Sequence, residues 1–96
     1  MSGGGSFSSD QSVAHATADG QMVPTTRRAR VTYIQAEGAA NSSVVLKSGG
    51  ASGTVVATFK FGDEGLDIYV PGSGILFEDG VYLDLTATPG VTITFT

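Results

Sequence analysis

The sequence predicts an all-β protein: a small antiparallel β-sandwich, jelly-roll or immunoglobulin-like, with about seven or eight short strands and an extended N-terminal arm. Two observations lead to this fold class. From residue 28 onward, segments rich in β-branched and aromatic residues follow one another, with turn signals every 8 to 12 residues or so. No window of the sequence supports a helix longer than one turn.

The first three predicted strands are the segments ARVTYIQA, SVVLK and TVVATFKF. The third of them alternates most clearly. Val55, Ala57, Phe59 and Phe61 share one face, which we expect to meet the core, and Val56, Thr58 and Lys60 share the other. On this pattern we expect Phe59→Ala to destabilise the domain strongly and Thr58→Ala to destabilise it only slightly.

The remaining strands are predicted in LDIYV, GILFE, VYLDLTA and VTITFT. Three of these four alternate apolar with polar residues, as half-buried strands do. In the last one, Val91, Ile93 and Phe95 are set against three threonines.

The N-terminal part has a different composition, because Gly, Ser, Ala and Thr dominate and large apolar side chains are few. Such a segment buries too little surface to offset its ordering entropy. We therefore divide the chain into a Gly/Ser-rich arm, residues 1–26, and a sandwich domain, residues 27–96. Within the arm, SVAHATADGQMV is compatible with a short strand, a turn at residues 18–20, and a return.

Length and composition exclude several classes of protein. With 96 residues the chain forms one domain at most, and without cysteine it has no disulfide framework and no thiolate metal site. The net charge of -4 argues against a nucleic-acid binder. No apolar run is long enough to cross a membrane. The N-terminus has no secretory signal pattern, so synthesis without an export route is expected.

The charges are unevenly distributed along the sequence. Residues 1–60 carry a net charge of +2 and residues 61–96 a net charge of -6. Such a split can orient one copy against another. Simple solvation of different faces is the favoured interpretation.

The segment SVVLKSGGASGTVVATFKF contains a loop of small residues, Ser48 to Gly53. A phosphate-binding P-loop needs a lysine after its glycines and a helix behind them, and this segment has neither. We expect an ordinary hairpin loop in which Gly49, Gly50 and Gly53 supply positive φ angles.

No set of residues in the sequence indicates catalysis. His15 is the single histidine and lies in the predicted arm, so a solvated or interface histidine is favoured over a catalytic one. The acidic clusters GDEGLD and FEDG do not have the spacing of a twelve-residue calcium loop, and solvated turn carboxylates are favoured. We expect no enzyme activity, no catalytic or metal-binding residues, and no cofactor.

Five residues are candidates for an interface. Arg27, Arg28 and Arg30 form the densest cationic segment and are expected to meet carboxylates of a protein partner or to be solvated. Tyr69 and Tyr82, together with Tyr33, are candidates for an aromatic carbohydrate-binding platform, although core or cross-strand packing is favoured for them.

The low stability expected of this domain suggests that it assembles with other protein chains. A domain of about 70 ordered residues with few large side chains has little net stability of its own. Because disulfides are excluded and no metal set is evident, we expect homo-oligomerisation or docking on a larger particle.

The order ATADGQ, RRARVTYI, SVVLKSGGASGT, IYVPGSGILFEDGVYLDLT and VTITFT resembles small β-sandwich proteins encoded among the virion genes of tailed, especially marine, bacteriophages. The similarity covers roughly residues 14–96 and consists of turn and core signatures; Ser73 stands where those proteins often have an acidic residue. It implies a structural protein of the virion, present in many copies and assembled in the host cytoplasm.

Within that family, the composition fits a capsid decoration or cement protein docked on the major capsid protein, with the arm lying over a neighbour. The alternatives are a tail-associated or fibre-attachment protein and a carbohydrate-binding module on the virion surface.

Overall fold

The computed structural model describes residues 11–96, which form nine strands and no helix. The strands are β1 (Ser12–Ala16), β2 (Gly20–Val23), β3 (Ala29–Glu37), β4 (Ser42–Ser48), β5 (Thr54–Phe61), β6 (Leu66–Tyr69), β7 (Ile75–Phe77), β8 (Val81–Thr86) and β9 (Gly90–Phe95).

The strands form two antiparallel sheets that pack face to face. The first, sheet A, has the order β1-β9-β3-β6, and β7 also pairs with β3. The second, sheet B, has the order β2-β8-β4-β5. The predicted all-β sandwich is therefore confirmed.

The strand order is that of a jelly roll. The first strand pairs with the last, β2 with β8, β3 with β6, and β4 with β5. This nested pairing is that of one long hairpin rolled into two sheets, and it distinguishes the jelly roll from the immunoglobulin-like alternative. The short strand β7 extends sheet A beside the first residues of β3.

The core lies between the sheets and draws side chains from both. Alternation along β3, β4, β8 and β9 places their apolar residues inward. The largest fully buried side chains are Phe77, Ile34, Leu46, Leu83 and Ile93, followed by Val23, Val31, Val44, Val81 and Val91.

The register of β5 differs from the prediction at its first residues. Phe59 lies opposite the buried Val44 and packs against the core, as expected, although it remains half-exposed on the edge of sheet B. A bulge shifts the pairing so that Lys47 lies opposite Val55. Because a bulge places one extra residue in a strand, Val55 leaves the inner face and is 54% exposed.

The boundary between arm and sandwich at residue 26 is wrong. β1 pairs with β9 along its whole length, and β2 pairs with β8. Val23 is fully buried and Ala16 is nearly so. Residues 12–23 are thus part of the sandwich, and the expectation that they cannot contribute to a core is incorrect. The predicted turn is present, but the return strand joins the other sheet. Residues 1–10 of the predicted arm lie outside the described part of the chain.

Candidate functional site

The three arginines predicted at an interface lie at one end of the sandwich, which we call the arginine end. Arg27 and Arg28 are exposed in the turn between β2 and β3, and Arg30 is half-exposed on β3. The turn is closed by a hydrogen bond of 3.0 Å from the Arg27 amide to the Pro24 carbonyl.

The arginine end also contains the first residues of β1 and the last residues of the chain. Ser12 pairs with Phe95, and Arg30 exchanges two backbone hydrogen bonds with Thr96, at 3.1 and 2.9 Å. The guanidinium of Arg27 lies 5.5 Å from the centre of the Phe95 ring, within cation–π distance. Since residue 11 directly precedes β1, the segment 1–10 joins the sandwich at this end.

The arginines have no acidic partner in the described chain. Among residues 11–96 the only ion pair joins Lys47 to Asp84, at 3.3 Å. Glu78 and Asp79 also lie at the arginine end, next to the β4–β5 loop. The positive charge of residues 1–60 and the negative charge of residues 61–96 are therefore not separated at opposite ends of the sandwich. The cationic groups of Arg27, Arg28 and Arg30 are available to an external carboxylate.

The loop Ser48 to Gly53 is an ordinary hairpin loop, as predicted, but its glycines act differently. Only Gly49 has a positive φ, of 105°. Gly53 is needed for space, because a Cβ there would lie 2.2 Å from the Ser48 carbonyl oxygen. The loop is held from within the protein: the Gly49 amide donates to the Asp79 carbonyl, and Gln21 donates to the Gly49 carbonyl at 3.1 Å.

The three tyrosines do not form one platform. Tyr33 and Tyr69 face each other on β3 and β6 of sheet A, with ring centres 6.5 Å apart and planes tilted by 54°. Tyr82 is half-exposed on β8 of sheet B, opposite Lys47. The predicted cross-strand packing is thus present for one pair, and the interface candidates Tyr69 and Tyr82 lie on different sheets.

The outer face of sheet A carries a row of polar side chains next to the tyrosines. Cross-strand pairing aligns His15 with Thr92, Thr92 with Gln35, and Gln35 with Asp67. The Tyr33 hydroxyl donates a hydrogen bond to Asp67. This bond raises the pKa of Tyr33, and partial desolvation and the negative charge of Asp67 act in the same direction.

His15 lies in strand β1, not in an arm. Its Nδ1 is 2.8 Å from the Thr92 hydroxyl, and the side chain is exposed. A depression of about 270 Å³ begins here, lined by His15, Gln35, Ala36, Glu37, Gly90 and Thr92.

The other acidic residues predicted in turns are dispersed. Glu64 accepts a hydrogen bond of 3.2 Å from the Gly62 amide, and backbone hydrogen bonds lower the pKa of this carboxyl. Within residues 11–96 no group of three or more His, Asp or Glu side chains is arranged to hold a metal ion.

A larger open depression of about 740 Å³ lies at the end opposite the arginines, between the β1–β2 and β8–β9 connections. Its single carboxylate, Asp19, accepts a hydrogen bond of 2.7 Å from the Leu85 amide, so this carboxylate already joins the β1–β2 connection to strand β8. Across the described part of the chain, no helix is long and apolar enough to cross a membrane.

Comparison of the chain with protein-family models, characterised proteins and solved structures gave no match. Two surfaces carry the candidate functional residues: the arginine end, and the outer face of sheet A with its tyrosines and its row of polar side chains.

Proposed function

We propose that this protein is a non-enzymatic structural protein of a phage virion, a capsid decoration protein that docks on the major capsid protein in many copies. The observation that carries the proposal is the position of Arg27, Arg28 and Arg30 at the end where residues 1–10 join the sandwich. Docking through this end would bring the three cationic side chains against the partner.

The electrostatics of this end support docking on an acidic protein surface. Arg28 is exposed and has no carboxylate partner within residues 11–96, so contact with a carboxylate adds an interaction without breaking one. A single exposed charge pair contributes little, on the order of 0.2–1 kcal/mol. Such contributions add up only where one docked unit makes several of them at once, as copies linked to one another on a repetitive shell would.

The fold agrees with the proposal by analogy only. Jelly-roll sandwiches are found in viral capsid domains and in lectins, and one fold serves many functions. The resemblance to phage virion proteins favours the first of these two roles. The alternative is a tail-associated or fibre-attachment protein. The location of the protein on the particle distinguishes this alternative from a capsid decoration protein.

The proposal is tested by adding the purified protein to particles that lack it and measuring co-sedimentation. Arg28→Glu should lower the apparent affinity several-fold, and the loss should shrink as salt screens the contact. Lys60→Glu is the matched control, because it makes the same charge change at an exposed position on β5. Equal losses for both variants, or no binding of the unmodified protein, would contradict docking through the arginine end.

A further inference from the structure

Tyr69 is the most exposed aromatic side chain of the described chain, at 67%. Its one aromatic neighbour, Tyr33, is tilted by 54° with a ring-centre separation of 6.5 Å, so the two rings are not stacked face to face. An aromatic ring with an accessible face is a platform for flat, partly apolar ligands.

Hydrogen-bonding groups lie beside this platform in a fixed order. The row His15, Thr92, Gln35 and Asp67 crosses all four main strands of sheet A at neighbouring register positions. Asp67 accepts the Tyr33 hydroxyl hydrogen bond and retains further lone pairs as acceptors. Gln35 is exposed and offers both a donor and an acceptor.

The row ends in the depression of about 270 Å³ between His15 and Glu37. Gly90 keeps it open, since a Cβ at this position would lie 3.2 Å from the His15 ring and 3.6 Å from a Glu37 carboxylate oxygen. The face therefore combines an exposed ring at one side with a concave polar site at the other.

These features together match a saccharide. A sugar ring has an apolar face that stacks on an aromatic ring and hydroxyl groups that exchange hydrogen bonds at its edge. The four strands of sheet A span about 14 Å at the usual strand spacing of about 4.8 Å, which is about the length of three linked sugar rings.

The charges of this face select among saccharides. Asp67 and Glu37 are acidic, and the row from His15 to Asp67 contains no lysine or arginine. A sulfated or uronic-acid sugar would be repelled by the two carboxylates. We propose that the outer face of sheet A binds an uncharged oligosaccharide, with Tyr69 as the stacking residue and Asp67, Gln35 and Thr92 as hydrogen-bonding residues.

The test is an NMR titration of the ¹⁵N-labelled protein with four neutral hexasaccharides: cello-, laminari-, malto- and chitohexaose. At least one should shift amide signals of β3, β6 and β9, with a Kd of about 1 mM or tighter. Tyr69→Ala should weaken this binding roughly tenfold or more, and Tyr69→Phe should largely retain it because the ring remains.

Tyr82→Ala is the matched control, since it removes a tyrosine from the outer face of sheet B. It should leave the affinity unchanged, and the amide spectra of all three variants report whether the fold is intact. The proposal is overturned if none of the four sugars shifts sheet A signals, if Tyr69→Ala and Tyr82→Ala have equal effects, or if a heparin hexasaccharide binds in preference to the neutral sugars. These outcomes are independent of docking on the particle.

Discussion

Phe77 is the largest fully buried side chain, whereas Phe59 on edge strand β5 packs against the core from a half-exposed position. Phe77→Ala should therefore destabilise the domain by about 3–5 kcal/mol, and Phe59→Ala by roughly half as much. Urea denaturation measures both values, and Phe77→Leu provides a milder truncation if the alanine variant does not fold. Equal losses for the two alanine variants would contradict the different depths of these rings.

Tyr33 and Asp67 form a pair whose ionisation reports their contact. The hydrogen bond to Asp67 holds the pKa of Tyr33 above its ordinary value. The hydrogen bond therefore stabilises the folded protein fully at a pH below the ordinary tyrosine pKa. This stabilisation is lost as the pH rises through the Tyr33 pKa of the folded protein. Asp67→Ala should lower the Tyr33 pKa toward about 10. A spectrophotometric titration of phenolate, with Tyr69 and Tyr82 replaced by Phe, isolates the Tyr33 signal. An unchanged pKa would show that the Asp67 contact is absent in solution.

Alternation of apolar and polar residues allowed the strands from β3 to β9 to be predicted. The short strand, turn and return predicted in SVAHATADGQMV correspond to β1 and β2, but their place in the sandwich was missed. The side chains of β1 that meet the core, Ala14 and Ala16, are too small to mark an amphipathic strand. Bulges were also missed, since an extra residue in a strand has no signature of its own. The alternation pattern places Tyr33 and Tyr69 on predicted strands, and cross-strand packing of tyrosines was expected from it. The assignment of Tyr82 to the other sheet requires the strand order, which cannot be read from a single sequence.

The turn between β7 and β8 depends on close contact with the end of β2. Gly80 has a φ of 81°, and a Cβ there would lie 2.4 Å from the carbonyl oxygens of both Val23 and Pro24. Gly72 has a similar φ of 74°, with nothing within 4 Å of its Cβ position. Gly72→Ala should therefore cost only the strain of a left-handed residue, about 1–2 kcal/mol.

Gly80→Ala should lower the free energy of unfolding by more than Gly72→Ala does, because the end of β2 must also move away from the new Cβ atom. Thermal melts of the two variants measure the difference. A Gly80→Ala variant as stable as the Gly72→Ala variant would contradict the close packing of the end of β2 against this turn.

The nested strand pairing of the whole molecule brings the start of β1, the end of β9 and the β2–β3 turn to one end. As a result, three arginines that are adjacent in the sequence lie beside the junction with residues 1–10. The outer face of sheet A presents its tyrosine and polar rows on a different surface. The two proposed functions use no residue in common, so one variant of each surface should affect only one of them.

Electron cryomicroscopy of intact particles tests the proposed docking through the arginine end. The proposal requires that the genome carrying this chain also encode virus particles, and these would be compared with particles from which the gene has been deleted. We expect repeated density for a two-sheet jelly roll on the capsid shell, with Arg27, Arg28 and Arg30 turned toward the major capsid protein. Particles without such density, or a sandwich attached by the opposite end, would contradict it.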